Sequence, residues 1–167
     1  TAPLHLDETP ALTLTALRSR ARRLKLQHNI GLLVVDYLQL LRAPSKRADA
    51  NRQVEVADIS SGLKALAKEL GLPVICLSQL NREPAQRSLG RPTLSDLRES
   101  GAIEQDADVV LLLFRPERYC DEDSADYQRW KGRAMVNVAK QRNGPTGDIE
   151  LLFDGGTFTF REEARVE

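Results

Sequence analysis

The chain has 167 residues, with 24 Lys and Arg against 24 Asp and Glu, so it carries no net formal charge. Hydrophobic residues make up 41% and charged residues 29%. These are ordinary globular proportions, which exclude a disordered chain, a collagen, a coiled coil and a disulfide-stapled miniprotein. The length suits one domain with a proper core, and the longest apolar runs, such as Val109 to Phe114, fall far short of the roughly 18 residues of a membrane helix.

Cys76 and Cys120 lie far apart, and the first stands in an apolar run where a reduced, buried thiol is expected, so the chain reads as cytoplasmic. No basic and apolar leader is present, and the single methionine is Met135. Thr1 is therefore not expected to be a translation start, and the chain is expected to be processed or a piece of something longer.

Leu4-His5-Leu6 alternates and predicts a short strand, ended by Asp7-Glu8-Thr9-Pro10. Thr13 is the expected N-cap of a helix with Leu14, Leu17, Ala21 and Leu24 on one side. Arg18, Arg20, Arg22, Arg23 and Lys25 fall on the rest of it, a basic run that reads as a solvated surface. Gly31 to Asp36 is an apolar run closed by a carboxylate, the pattern of a strand covered on both faces. Val56, Ile59, Leu63, Leu66 and Leu70 predict an amphipathic helix that Gly71 closes and Pro73 forbids to continue. Val74 to Ser78 is the next strand, so strand, helix and strand make a βαβ unit. The expected fold class is α/β, with a mostly parallel central sheet flanked by helices.

A polar stretch runs from Asn81 to Gln105, long enough to call for function or mobility. Val109 to Phe114 is a third strand, Pro116 to Asp126 an acidic loop, and Ala134 to Ala139 a fourth strand. Asn143 to Gly147 is a turn, and Ile149 to Phe153 with Thr157 to Phe160 predict a terminal β-hairpin around Asp154-Gly155-Gly156.

In an open parallel sheet, ligands bind beyond the carboxyl ends of the strands. Asp36, Ser78-Gln79 and Lys140-Gln141-Arg142 end three of the predicted strands. A carboxylate there can hold Mg²⁺ through water beside a nucleotide phosphate. A glutamine can orient water or sense phosphate, and a Lys/Arg pair can neutralise a transferring phosphoryl group. His5 and His28 lack the partners of a zinc site, and Ser78 and Cys76 stand in no nucleophile elbow. The acidic group Asp96, Glu99, Glu104, Asp106 and Asp108 reads as a solvated loop.

Leu33 to Leu41 resembles the Walker B strand of DnaB-type hexameric helicases. Ser61 to Leu70, Leu77 to Arg82, Ser95 to Asp108 and Ala139 to Pro145 resemble further segments of that family in the same order. The resemblance implies a RecA-like motor domain that uses ATP and Mg²⁺, drives 5′ to 3′ translocation on single-stranded DNA as a homo-hexameric ring, and deals with a primase and a helicase loader. It implies that Asp36 coordinates Mg²⁺ and its waters, that Gln79 is the switch reporting the γ-phosphate, and that Lys140 and Arg142 act in trans on the neighbouring subunit's nucleotide. Arg98, Glu99 and Gly101 match the channel loop that grips DNA phosphates, a role that six converging copies can play although each subunit is neutral. The sequence departs from the family in having no Gly-x-x-x-x-Gly-Lys-[Ser/Thr], so the chain by itself is expected neither to bind ATP tightly nor to hydrolyse it. Two other readings stay open: another RecA-like recombinase or ring ATPase, and a degenerate module that only binds DNA or a partner.

Overall fold

The structure, a computed structural model, describes residues 3–43, 52–80, 88–97 and 101–162. The chain forms two compact units, one of Thr1–Gln79 with Glu99–Asp106 and the other of Leu80–Arg98 with Ala107–Glu167.

The first unit is built on helices α1 (Leu14–His28) and α2 (Arg52–Leu70) beside strands β1 (Leu33–Val35) and β2 (Val74–Cys76). The Thr13 side chain accepts the Ala16 N–H at 3.2 Å and so caps α1 as expected. Gly71, at φ +58°, ends α2, and the Leu72 N–H returns to the Ala67 carbonyl. Leu14, Leu17 and Ala21 of α1 meet Val56, Ile59, Leu63 and Leu66 of α2, together with Val35, Leu38 and Leu41, in one apolar cluster. The helices approach so closely that a Cβ on Gly62 would lie 2.2 Å from a Leu14 methyl. The basic run of α1 serves the structure: Arg18 and Arg22 converge on Glu69 of α2, Arg20 holds Asp7 and Thr9, and Lys25 donates to the Ile30 carbonyl. Helix α3 (Gly101–Asp106) joins this unit, where the Asp106 carboxylate accepts from Ser60 of α2 at 2.7 Å.

Strands β1 and β2 are parallel, with Val35 beside Cys76. Three expectations for this unit are corrected. Residues 4–6 form no strand; they are exposed, because no neighbouring strand supplies a ladder, and His5 instead packs its ring on His28 at 4.4 Å. The strand at Gly31 to Asp36 is not covered on both faces, since only one side of the β1–β2 pair meets the helices and Val34 and Ile75 stay about half exposed. Among the described residues the parallel sheet has two strands and not the several expected.

The second unit carries an antiparallel sheet in the order β3 (Val109–Phe114), β4 (Arg133–Gln141), β5 (Gly147–Asp154), β6 (Thr159–Arg161). Strand β4 therefore does not continue a parallel sheet. The chain leaves β3 at Phe114 and returns at Met135 directly opposite, with no long crossover helix between them to carry it back for a parallel start. The turn before β5 and the β5–β6 hairpin are present as expected, but Gly147 already belongs to β5 and the last strand starts at Thr159, with Thr157 and Phe158 in the hairpin turn, which Asp154 holds by accepting from the Gly156 N–H and the Thr157 hydroxyl. The acidic loop opens on a 3₁₀ turn at Pro116–Tyr119 and runs at its end into a helix the pattern did not reveal, α4 (Ala125–Trp130), capped by Ser124. Of the long polar stretch, residues 88–90 and 94–97 are short 3₁₀ turns and 101–106 is α3. Asp96 is not solvated there. It is buried, accepting the Thr93 N–H at 2.6 Å and the Thr93 hydroxyl at 3.2 Å.

Candidate functional site

In the first unit the parallel register brings two strand ends out side by side. Beyond the ladder the Leu77 N–H donates to the Val35 carbonyl at 2.9 Å, and the Leu38 N–H donates to the Leu77 carbonyl at 2.8 Å. The chains leaving β1 and β2 are thus stitched together for a further turn. Asp36 leaves the end of β1 exposed, with no hydrogen bond or ion pair among the described residues. Ser78 and Gln79 leave the end of β2, and Gln79 is exposed. A third residue joins them. The Gln39 carboxamide donates to the Ser78 hydroxyl at 3.1 Å and to the Gln79 carbonyl at 3.3 Å, and it accepts the Gln79 N–H at 3.4 Å. Behind it, the Gln39 carbonyl accepts from Arg52 at 2.8 Å, and Arg52 pairs with the buried Glu55. Glu55 also takes the Ala43 N–H, and Arg42 lies 3.7 Å away. Cys76, at the end of β2, is half-buried and in no disulfide, and burial pushes its thiol up to about 11.

Lys140 and Arg142 belong to the second unit and to its antiparallel sheet. They close β4, beside the start of β3 rather than its carboxyl end, so the expectation that all four residues line one rim of adjacent parallel strands is corrected. Lys140 pairs with Val110, while the next pair is Leu111 with Val138. Ala139 is therefore an extra residue on β4, a bulge that re-aims Lys140 and its successors, and such bulges recur beside functional residues. Arg142 lies just past the strand. Its N–H donates to the Asp108 carbonyl at 2.9 Å and its guanidinium lies 3.5 Å from the Asp108 carboxylate, both side chains about half exposed. An ion pair so exposed contributes little to stability.

Gly101 opens α3, and a Cβ there would meet nothing within 4 Å, so the chain leaves room over its backbone. Arg98 and Glu99 lie outside the described residues.

Sequence reasoning gives Gln39 no role, reads Asp108 as part of a solvated loop and misses Glu55. The available signal for Gln39 is its place three residues after Asp36, with a long amide next to a second strand end.

An α/β chain that presents an exposed carboxylate and a carboxamide from neighbouring parallel strand ends carries them where open α/β folds bind their ligands. Comparison with known proteins narrows this: the DnaB-like helicase C-terminal domain family matches residues 1–162, and the chain belongs to that family. It is 47% identical over 165 residues to the replicative DNA helicase DnaB of Rickettsia bellii (strain RML369-C), covering 89% of this chain and 33% of that protein. It is 48% identical over 152 residues to that of Geobacillus stearothermophilus, covering 91% of this chain and 32% of that protein. The chain thus spans about a third of the length of these relatives. Among solved structures, an ATPase domain superimposes with a TM-score of 0.80 at 36% identity, covering 92% of this chain and 52% of that one. A DnaB-like replicative helicase solved for its interactions with primase gives 0.79 at 38% identity, covering 92% of this chain and 36% of that one.

Proposed function

We propose that the chain is part of a single RecA-like ATPase domain, the motor of a replicative DNA helicase that runs 5′ to 3′ on single-stranded DNA as a homo-hexameric ring and separates the duplex ahead. The observation that carries this is that Asp36 and Gln79 leave the joined ends of β1 and β2, in a chain of this family.

Asp36 fits a hard divalent cation, since it is an exposed oxygen donor whose charge no described partner neutralises. It would hold Mg²⁺ through water, and the ion would supply positive charge beside the phosphates of ATP. The Gln79 carboxamide can donate to a phosphate oxygen or accept from water, so its contacts change when the γ-phosphate leaves. Lys140 and Arg142 present donors at the end of β4 for a neighbouring subunit's nucleotide, and release of Arg142 from Asp108 would free it for that task. Arg98, Glu99 and Gly101 would grip the DNA backbone, with Arg98 as the phosphate partner. The names of the relatives support a replicative role, and the structural neighbour solved for its interactions with primase supports such a partner here. A helicase loader is a further expected partner. No helix of the described residues is long and apolar enough to cross a membrane, in keeping with the proposed cytoplasmic site of work.

Asp36→Asn in the full-length protein tests the reading. Turnover of ATP should fall by about a hundredfold or more with the fold intact. A forked substrate should be opened by the unaltered protein from a 5′ single-stranded tail only. Unchanged turnover in the variant removes Asp36 from the site, and opening from a 3′ tail alone overturns the direction.

A further inference from the structure

We propose that Gln39 is a positioning residue for Gln79, its side-chain amide doing for the Gln79 backbone what a neighbouring strand does inside a sheet. The proposal rests on the reading of Gln79 as the switch and adds the device that aims it.

The paired part of β2 ends at Cys76, and the main-chain bonds between the two strand exits end with Leu77. Gln79 lies two residues further on, where β1's continuation has already turned away and offers no peptide in register. The Gln39 carboxamide fills that place. It accepts the N–H and donates to the C=O of one and the same residue, at 3.4 and 3.3 Å, and it also reaches the Ser78 hydroxyl at 3.1 Å. Two opposed hydrogen bonds to one residue's main chain fix its orientation, and that orientation sets the direction in which the Gln79 side chain leaves the backbone. Only an amide provides both a donor and an acceptor at this spacing; a carboxylate keeps the acceptor alone.

Gln39 is itself held. Its carbonyl is tied to Arg52, and Arg52 is tied to Glu55, which is 5% exposed and also bonded to the Ala43 N–H. The clasp therefore connects the first turn of α2, the segment that carries Asp36, and the segment that carries Gln79. A change at either strand end is passed to the other through this side chain as well as through the main-chain bonds at Leu77.

The test is steady-state ATP hydrolysis by the full-length protein, with and without single-stranded DNA, for Gln39→Ala, Gln39→Glu, Gln79→Ala and the Gln39→Ala/Gln79→Ala pair. Gln39→Ala should lower kcat about tenfold while KM for ATP stays within about twofold, because a misaimed switch costs the reaction and not ground-state binding. Stimulation by DNA should fall with kcat. Gln39→Glu, nearly isosteric and able to keep the bond to the Gln79 N–H, should fall between, and it preserves the test if the alanine variant folds poorly. The double variant should match Gln79→Ala alone, since no switch remains to be aimed. Unaltered kcat in both Gln39 variants, or losses that multiply in the double variant, overturns the clasp. Unaltered turnover in Gln79→Ala overturns the switch reading beneath it, so the two failures are told apart.

Discussion

The two units hold their candidate residues by different physics. In the first, α1 and α2 pack around Ile59 and Leu66, both fully buried, and the strand ends are fixed by a side-chain clasp backed by a buried glutamate. In the second, main-chain ladders do the holding. Along β3, buried Val110 and Leu112 alternate with Val109, Leu111 and Leu113, which are about half exposed. Position there comes from register and from the bulge at Ala139 rather than from a packed helix pair. The clasp residues of the first unit are thus part of the scaffold, whereas a side chain at the end of β4 can be changed with the scaffold left standing.

Arg142→Ala puts that difference to its strongest use. In the full-length protein ATP hydrolysis should fall by about a thousandfold or more, the usual weight of a trans-acting arginine, while binding of a fluorescent nucleotide stays nearly unchanged. The backbone bond from Arg142 to Asp108 does not need the side chain, so the sheet should survive. Equal loss of binding and turnover would show Arg142 to be a ground-state contact.

The next effect is on stability. Ile59→Ala should cost about 3–5 kcal/mol, since it empties a fully enclosed site. Leu111→Ala, on the open side of β3, should cost under about 1 kcal/mol. Urea unfolding followed by circular dichroism measures both. If Leu111→Ala costs as much as Ile59→Ala, the open face of the sheet is not open in solution.

The legibility of the sequence follows the same division. Helices α1 and α2 were legible from apolar spacing and caps, because Thr13 and Gly71 mark their ends by local chemistry alone. Asp36 and Gln79 were legible as strand ends for a similar reason: each comes at the close of a short apolar run. The direction of β4 was not. An apolar run reads alike in a parallel or an antiparallel sheet, and only the pairing of Phe114 with Met135 decides. Asp96 was misread as solvated because its burial depends on a bond to Thr93 within a 3₁₀ turn that carries no periodic signal. Gln39 escaped for the opposite reason, since its partners lie about 40 residues away and spacing cannot announce them.

The smallest expected effect separates the units by the kind of bond their carboxylates make. Hydrogen bonds from Arg22 and then Arg18 hold the Glu69 carboxyl of α2 at about 2, well below its ordinary 4.5. Its folded-state value is depressed, so its contribution is complete above about pH 4.5 and is lost as pH falls toward 2. In the second unit Asp148 is also lowered, first by a hydrogen bond from the neutral Asn137 and then by Arg91. Both groups lie near the surface, and their effects on stability are small. Salt tells them apart. Charge partners are screened at about 1 M salt, where the Debye length is about 3 Å, whereas a neutral donor is not. Stability measured between pH 5 and 2 should therefore show the flattening by Glu69→Gln shrink from low to high salt more than the flattening by Asp148→Asn, because Asp148 loses the help of its Arg91 pair to salt but keeps the Asn137 bond. A Glu69 effect that survives high salt would mean that its two arginines act as packed hydrogen-bond donors, and that the first unit is held at its surface as it is in its core.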